Sequence, residues 1–111
     1  MSECVFCRIV SGEIPAKVLY RDDHAIAISD LAPKAPFHAL VIPRTHVAKL
    51  SELEDGALGG QLLQAVRRVA AEAGFADQFR VVVNNGESAG QSVWHLHLHV
   101  LGGRDFGWPP G

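Results

Sequence analysis

The run VWHLHLHVL at residues 93–101 alternates histidine with aliphatic side chains, and this period of two constrains the fold more than any other stretch of the chain. In an extended backbone successive side chains point to opposite faces. His95, His97 and His99 therefore share one row, while Leu96, Leu98 and Val100 point the other way into a core. Neighbouring imidazoles in such a row are roughly 7 Å apart.

The remaining segments supply partners for that strand. Residues 4–11 (CVFCRIVS) place Val5, Phe6, Ile9 and Val10 on a helical stripe, and Gly12 follows where a helix would stop. Residues 17–22 and 24–30 are rich in β-branched and aromatic side chains and predict a hairpin turning at Asp22 and Asp23. Pro33 and Pro36 make 31–36 a loop, and HALVI (38–42) resumes extended structure until Pro43. Ser51 and Glu54 have the spacing of a capping box. Behind them Leu58, Leu62, Leu63, Val66, Val69, Ala70 and Ala73 recur at helical spacing up to Gly74. FRVVVN (79–84), a glycine-containing loop (85–92) and the histidine run complete five strands and two helices. Strands come in runs rather than in βαβ alternation, which predicts an α+β fold with an antiparallel sheet.

Composition narrows the function classes. The chain has 111 residues, which predicts one domain over 1–111, burying roughly two-thirds of its unfolded surface. A formal net charge of −2 carries no basic excess, so nucleic acid is not an expected partner. No apolar run approaches the roughly 20 residues that span a bilayer, and no basic segment precedes a long apolar one at the N-terminus. A cytoplasmic location without membrane partners is expected. The only two cysteines, Cys4 and Cys7, stand too close in sequence to staple distant parts of a secreted fold.

The histidine row admits two chemical readings beside that of a surface strand carrying histidines. Neutral imidazole is a good nucleophile near neutral pH, and a neighbouring imidazole can stabilise charge developing on a phosphoryl group. Alternatively, H-x-H on a strand can supply two zinc ligands. Positions i and i+4 lie about 13 Å apart, so all three histidines cannot easily reach one ion. The preceding loop suits a phosphate or forms a plain hairpin turn. Gly86 and Gly90 permit backbone angles that turn amides toward an anion, and Gln91 and Ser92 add donors.

The runs GQSVWHLHLHVLGG (90–103) and DLAPKAPFHALVIPRTH (30–46), with FCRIVSGEIPAKVLYRDD (6–23) and the ending WPPG (108–111), resemble the histidine-triad family over essentially the whole chain. The likeness leans toward its purine nucleoside phosphoramidase branch. It implies a half-barrel α+β fold, with a five-stranded antiparallel sheet that two subunits join into ten strands in a homodimer. It implies that His97 becomes nucleotidylated, that His99 contacts the α-phosphate, that His95 orients the nucleophile, and that His46 completes the set of active-site imidazoles. Ser92 would help the leaving group depart. Asp30 would bind the ribose hydroxyls of a purine nucleotide, with Leu31, Phe6 and Ile9 around the base, and Asn84 with the backbone of Gly90, Gln91 and Ser92 on the phosphate side. Phe6, Ile9 and Leu31 also read as core, and Asp30 as a turn residue.

Cys4 and Cys7 depart from many members of that branch. A C-x-x-C at a helix start reads as two small buried side chains, as a redox pair, or as half of a zinc site. Some relatives hold a structural zinc with such a pair and two histidines, which map here onto His46 and His95. Catalysis itself is expected to need no cofactor. The activity expected is hydrolysis of nucleoside 5'-phosphoramidates of the adenosine phosphoramidate type, through a covalent nucleotidyl-histidine. The alternatives are a dinucleoside polyphosphate or acyl-adenylate hydrolase, a zinc-dependent hydrolase, and a non-catalytic nucleotide-binding scaffold using the tail with Trp108.

Overall fold

The computed structural model describes residues 3–111. Among them, two α-helices, α1 (Val5–Val10) and α2 (Gly56–Glu72), accompany five strands. These are β1 (Val18–Arg21), β2 (Ala25–Ser29), β3 (Phe37–Pro43), β4 (Arg80–Val82) and β5 (Leu98–Gly102). The strands form a single sheet in the order β1-β2-β3-β5-β4, every neighbouring pair antiparallel. The expected α+β class and strand number hold.

Both faces of the central strands are buried, and the side chains divide cleanly. Ala25, Ala27, Ala39, Val41, Leu98 and Val100 face α2 and pack against its Leu58, Leu62, Ala65, Val66, Val69 and Ala70. Alanines on both surfaces let helix and sheet approach closely, so the larger leucines and valines fill the remaining space. Leu62 is almost fully buried in this layer. Its truncation to alanine would cost about 2–5 kcal/mol. On the opposite face Ile26, Ile28, Leu40 and Ile42 form a second cluster closed by Phe6 of α1, with Ile9 and Val10 packed against it.

The helix start differs from the expected capping box. Ser51 belongs to a 3-10 turn over Leu50–Glu52, and the N-cap of α2 is Asp55, whose carboxylate accepts from the Ala57 and Leu58 amides. Asp at an N-cap meets the unpaired first-turn donors directly, and Gly56 begins the helix behind it. The far end is as expected, with Gly74 in a left-handed conformation after the last turn.

Candidate active site

The strand expected over 93–101 is paired only from Leu98 onward. Its partner β3 ends at Pro43, and ahead of Leu98 the Leu96 amide donates to the Val47 carbonyl instead of continuing a ladder. The alternation nevertheless persists. Leu96, Leu98 and Val100 all lie in the α2 core, and the three imidazoles point to the other face. The rings of His97 and His99 are 5.2 Å apart between centroids, and Phe6 stands edge-on to His97 at 5.3 Å.

The hydrogen bonds fix which nitrogen of each ring carries a proton. His97 Nδ1 lies 2.8 Å from the His95 carbonyl, which can only accept, so His97 holds a proton on Nδ1, and the lone pair of its neutral form is on Nε2. On β3, the Lys34 amide donates to His38 Nδ1 at 3.0 Å. His38 therefore carries its proton on Nε2, which lies 2.9 Å from His99 Nδ1 and 3.3 Å from Asp30 Oδ2. His99 accepts on Nδ1 and so offers an Nε2–H. Burial pushes the His99 pKa down to about 4, with the neighbouring His97 and His38 adding to the shift. Burial likewise lowers His38, against the pull of Asp30. His99 is thus a neutral hydrogen-bond donor beside the His97 ring.

A second cluster joins three elements. Cys4 caps α1, Cys7 lies within it, His46 follows β3 and His95 precedes β5. His95 is fully buried and donates from Nε2 to the Pro43 carbonyl at 2.8 Å, so its Nδ1 carries a lone pair. That Nδ1 lies 3.3 Å from Cys4 Sγ, 3.4 Å from Cys7 Sγ and 3.2 Å from His46 Nδ1, and Cys7 Sγ is 3.2 Å from His46 Nδ1. A tetrahedral zinc with bonds of about 2.0 Å to nitrogen and 2.3 Å to sulfur has edges of about 3.3–3.8 Å. The donor set and its spacing fit such an ion, and the Pro43 bond fixes the His95 tautomer as it does for metal-bound histidines. His46 stands with the cysteines and His95, and the further imidazole beside the His97 and His99 pair is His38.

Sequence reasoning missed His38. Its signal was the parity of β3, in which His38, Leu40 and Ile42 share a face and Leu40 sits opposite His99.

The other expected residues divide. Gly86 and Gly90 both take positive φ, as anticipated, flanking a 3-10 turn over Glu87–Ala89. Asn84 lies beside Gly90, its side-chain nitrogen 3.7 Å from where a Cβ would stand there. The Gln91 side chain is not the spare donor expected of it. Its buried amide is spent within the protein, accepting from the Gly86 amide and donating to the Ala48 and Val93 carbonyls, so it braces the loop. Ser92 is exposed and lines a surface cavity of about 390 Å³ with Cys4, Val5, Val93 and Trp94. Phe6 belongs to the second core cluster with Ile9 packed against it, and Leu31 is fully exposed. Asp30 accepts from the Ala32 amide through Oδ1, an Asx turn, while Oδ2 faces His38.

Comparison with known proteins identifies the family. The HIT domain family matches residues 11–106. An uncharacterised HIT-like protein of Synechocystis sp. is 50% identical over 98% of this chain and 97% of its own length. Among solved structures, a HIT family hydrolase from Legionella pneumophila superposes with a TM-score of 0.94 at 40% identity, covering 98% of this chain and all of that one. A histidine triad protein from Clostridium difficile gives 0.91 at 38% identity over 96% of each chain. No helix among the described residues is long and apolar enough to cross a membrane. With its fold, its histidine row and these relatives in agreement, the chain belongs to the HIT domain family.

Proposed function

We propose that this protein is a nucleotidyl hydrolase that cleaves the P–N bond of nucleoside 5'-phosphoramidates, adenosine phosphoramidate being the prototype, through a covalent intermediate on His97. The observation that carries the reading is the bond from His97 Nδ1–H to the His95 carbonyl, which in the neutral ring places the nucleophilic lone pair on Nε2. In the first step Nε2 attacks the α-phosphorus. A bond from His97 to phosphorus forms, the bond to the amine breaks, and the amine leaves with a proton that the Ser92 hydroxyl donates and regains from solvent. In the second step water attacks phosphorus and gives up a proton to solvent, replacing the one used in the first step, while the bond to His97 breaks and the nucleoside monophosphate is released. His99 donates its Nε2–H to a non-bridging oxygen throughout, and as a neutral donor it does not pair so strongly with the ground-state phosphate that the nucleotide is trapped.

Asp30 would hold the ribose hydroxyls, and the 84–92 loop the phosphate side. The Legionella relative is described as a hydrolase, which supports the reaction class. Cys4, Cys7, His46 and His95 would hold a structural zinc, whose contribution is to fix His95 and not to enter the reaction. The sheet ends at β1 and β4, so a second copy can extend it, and a homodimer with a continuous ten-stranded sheet is part of the proposal.

The test is direct. Incubation with adenosine phosphoramidate should release AMP, and mass spectrometry of alkaline-quenched reactions should find a nucleotide monophosphate on the peptide containing His97. His97→Asn should retain nucleotide binding and lose turnover. An adduct on another residue, or turnover surviving in His97→Asn, would sink the assignment.

A further inference from the structure

We propose that Cys4 and Cys7 are a reversible oxidation site that switches His97, with His95 as the connecting residue. The coupling to turnover rests on the nucleotidyl hydrolase reading; the coupling to the His97 ring does not.

The argument begins with His95, which serves two neighbours at once. Its ring Nδ1 lies 3.3 and 3.4 Å from the two sulfurs, and its main-chain carbonyl accepts the Nδ1–H of His97 at 2.8 Å. Because His95 has no exposed surface, its position is set by its bonds and its packing, and a change in what the sulfurs offer must be absorbed by movement or by a lost hydrogen bond. The sulfurs are close enough to join. All four ligand atoms of the cluster lie within 4.8 Å of one another, and the Cys7 amide donates to Cys4 Sγ at 3.3 Å, so closing to a disulfide of about 2.05 Å needs side-chain rotation. An oxidant can also arrive, since Cys4 lines the cavity of about 390 Å³ that it shares with Val5, Ser92, Val93 and Trp94.

The chemistry takes a hydroperoxide, ROOH, as co-reactant. Cys4 sulfur attacks the peroxide, forming an S–O bond and breaking the O–O bond, to give a sulfenic acid and ROH. Cys7 sulfur then attacks the Cys4 sulfur, forming the disulfide and releasing water. Two thiols and ROOH become one disulfide, ROH and water. The sulfurs lose two electrons, which the peroxide gains, and any bound metal ion departs. In the product the sulfurs are drawn toward each other and no longer serve His95 Nδ1, so the residue whose carbonyl orients His97 loses one of its two anchors and keeps only the Nε2–H bond to the Pro43 carbonyl.

The experiment uses the wild-type protein titrated with hydrogen peroxide. Two thiols per chain should disappear in step with a Cys4–Cys7 disulfide found by peptide mapping. The His97 Nδ1–H resonance in ¹⁵N-edited NMR should shift or broaden at the same rate, and phosphoramidase turnover should fall by on the order of 10²-fold. Dithiothreitol, with zinc restored, should reverse all three. In Cys7→Ala, dimedone should trap the sulfenic acid on Cys4. A Cys4–Cys7 disulfide that leaves the His97 resonance and the turnover unchanged would overturn the proposal, as would oxidation that never joins these sulfurs. If reduced protein has no turnover while the His97 resonance still responds, the hydrolase reading fails and the coupling stands.

Discussion

His38 Nε2 lies 2.9 Å from His99 Nδ1, and the hydrogen between the rings belongs to His38, because the Lys34 amide already occupies His38 Nδ1. One backbone amide in the 31–36 loop thereby sets the tautomer of a ring on the opposite strand. His99 can present only an N–H outward, and the neutral charge imposed by burial keeps it there.

Replacing His38 by phenylalanine keeps an aromatic ring in the layer and removes the donor. His99 is then free to adopt either tautomer. Turnover of adenosine phosphoramidate should fall about three- to tenfold, the worth of one net hydrogen bond, with the fold retained by circular dichroism. Unchanged turnover would mean that the His38 contact does not govern His99.

The same arrangement gives a pH dependence with a definite sign. His99 titrates near 4 when folded and near 6.5 when unfolded. Between these values the unfolded chain binds a proton that the folded chain refuses, so the contribution is whole above about pH 6.5 and is lost as pH falls through 4. Allowing for solvent screening, it is on the order of 1–3 kcal/mol. His38 and His95 are lowered too, so the share of His99 is read by difference. Wild type should lose more stability than His99→Asn between pH 7 and pH 4 in urea melts. An NMR midpoint for His99 near 6.5 would contradict the assignment.

What the sequence made legible follows from local rules. Alternation over 95–100 identified which residues face α2 even where no ladder forms, because core burial and not strand pairing enforces the parity there. The cysteine and histidine cluster was recoverable by resemblance but not by spacing, since His46 and His95 come together only when the chain folds back after Pro43. His38 escaped notice because a single histidine in an aliphatic strand looks like packing until the register sets it diagonal to His99. The capping box failed for a different reason. Asp55 is as good a cap as Ser51 and stands nearer the apolar repeat, and the competing choice was not resolved by spacing alone.

That correction is itself testable. Asp55→Ala should cost about 1 kcal/mol of stability, within the range of about 0.5–2 kcal/mol for lost N-caps. Ser51→Ala should cost little, since the contact made there is through its main-chain amide to Asn85 Oδ1, which alanine keeps. Equal losses in denaturant melts would restore the Ser51 cap.

Metal dependence should separate structure from chemistry. Turnover should survive EDTA treatment brief enough to leave the structural zinc in place, since the proposed nucleophile is an imidazole and not a metal-bound water. Metal analysis should find about one zinc per chain, absent in Cys4→Ser together with a lowered melting temperature. A metal-free protein whose stability does not change in Cys4→Ser would reduce the cluster to packing.

The last prediction concerns how the amine leaves. An amine departs from phosphorus poorly unless it is protonated as the bond breaks, and a positioned donor contributes about 10²–10⁴-fold to such a step. Ser92 is exposed at the end of the Gly86–Gly90 turn, three residues ahead of His95, where its hydroxyl is available to a substrate and is not spent in the core as Gln91 is. A nitrophenyl ester of the same nucleotide carries a leaving group that needs no proton. If Ser92 supplies the proton, Ser92→Ala should slow alkyl phosphoramidates by about 10²-fold or more and the nitrophenyl ester by only a few-fold, with the change in kcat rather than KM. Equal losses on both substrates would assign Ser92 to phosphate binding or loop support, because neither of those roles distinguishes one leaving group from another.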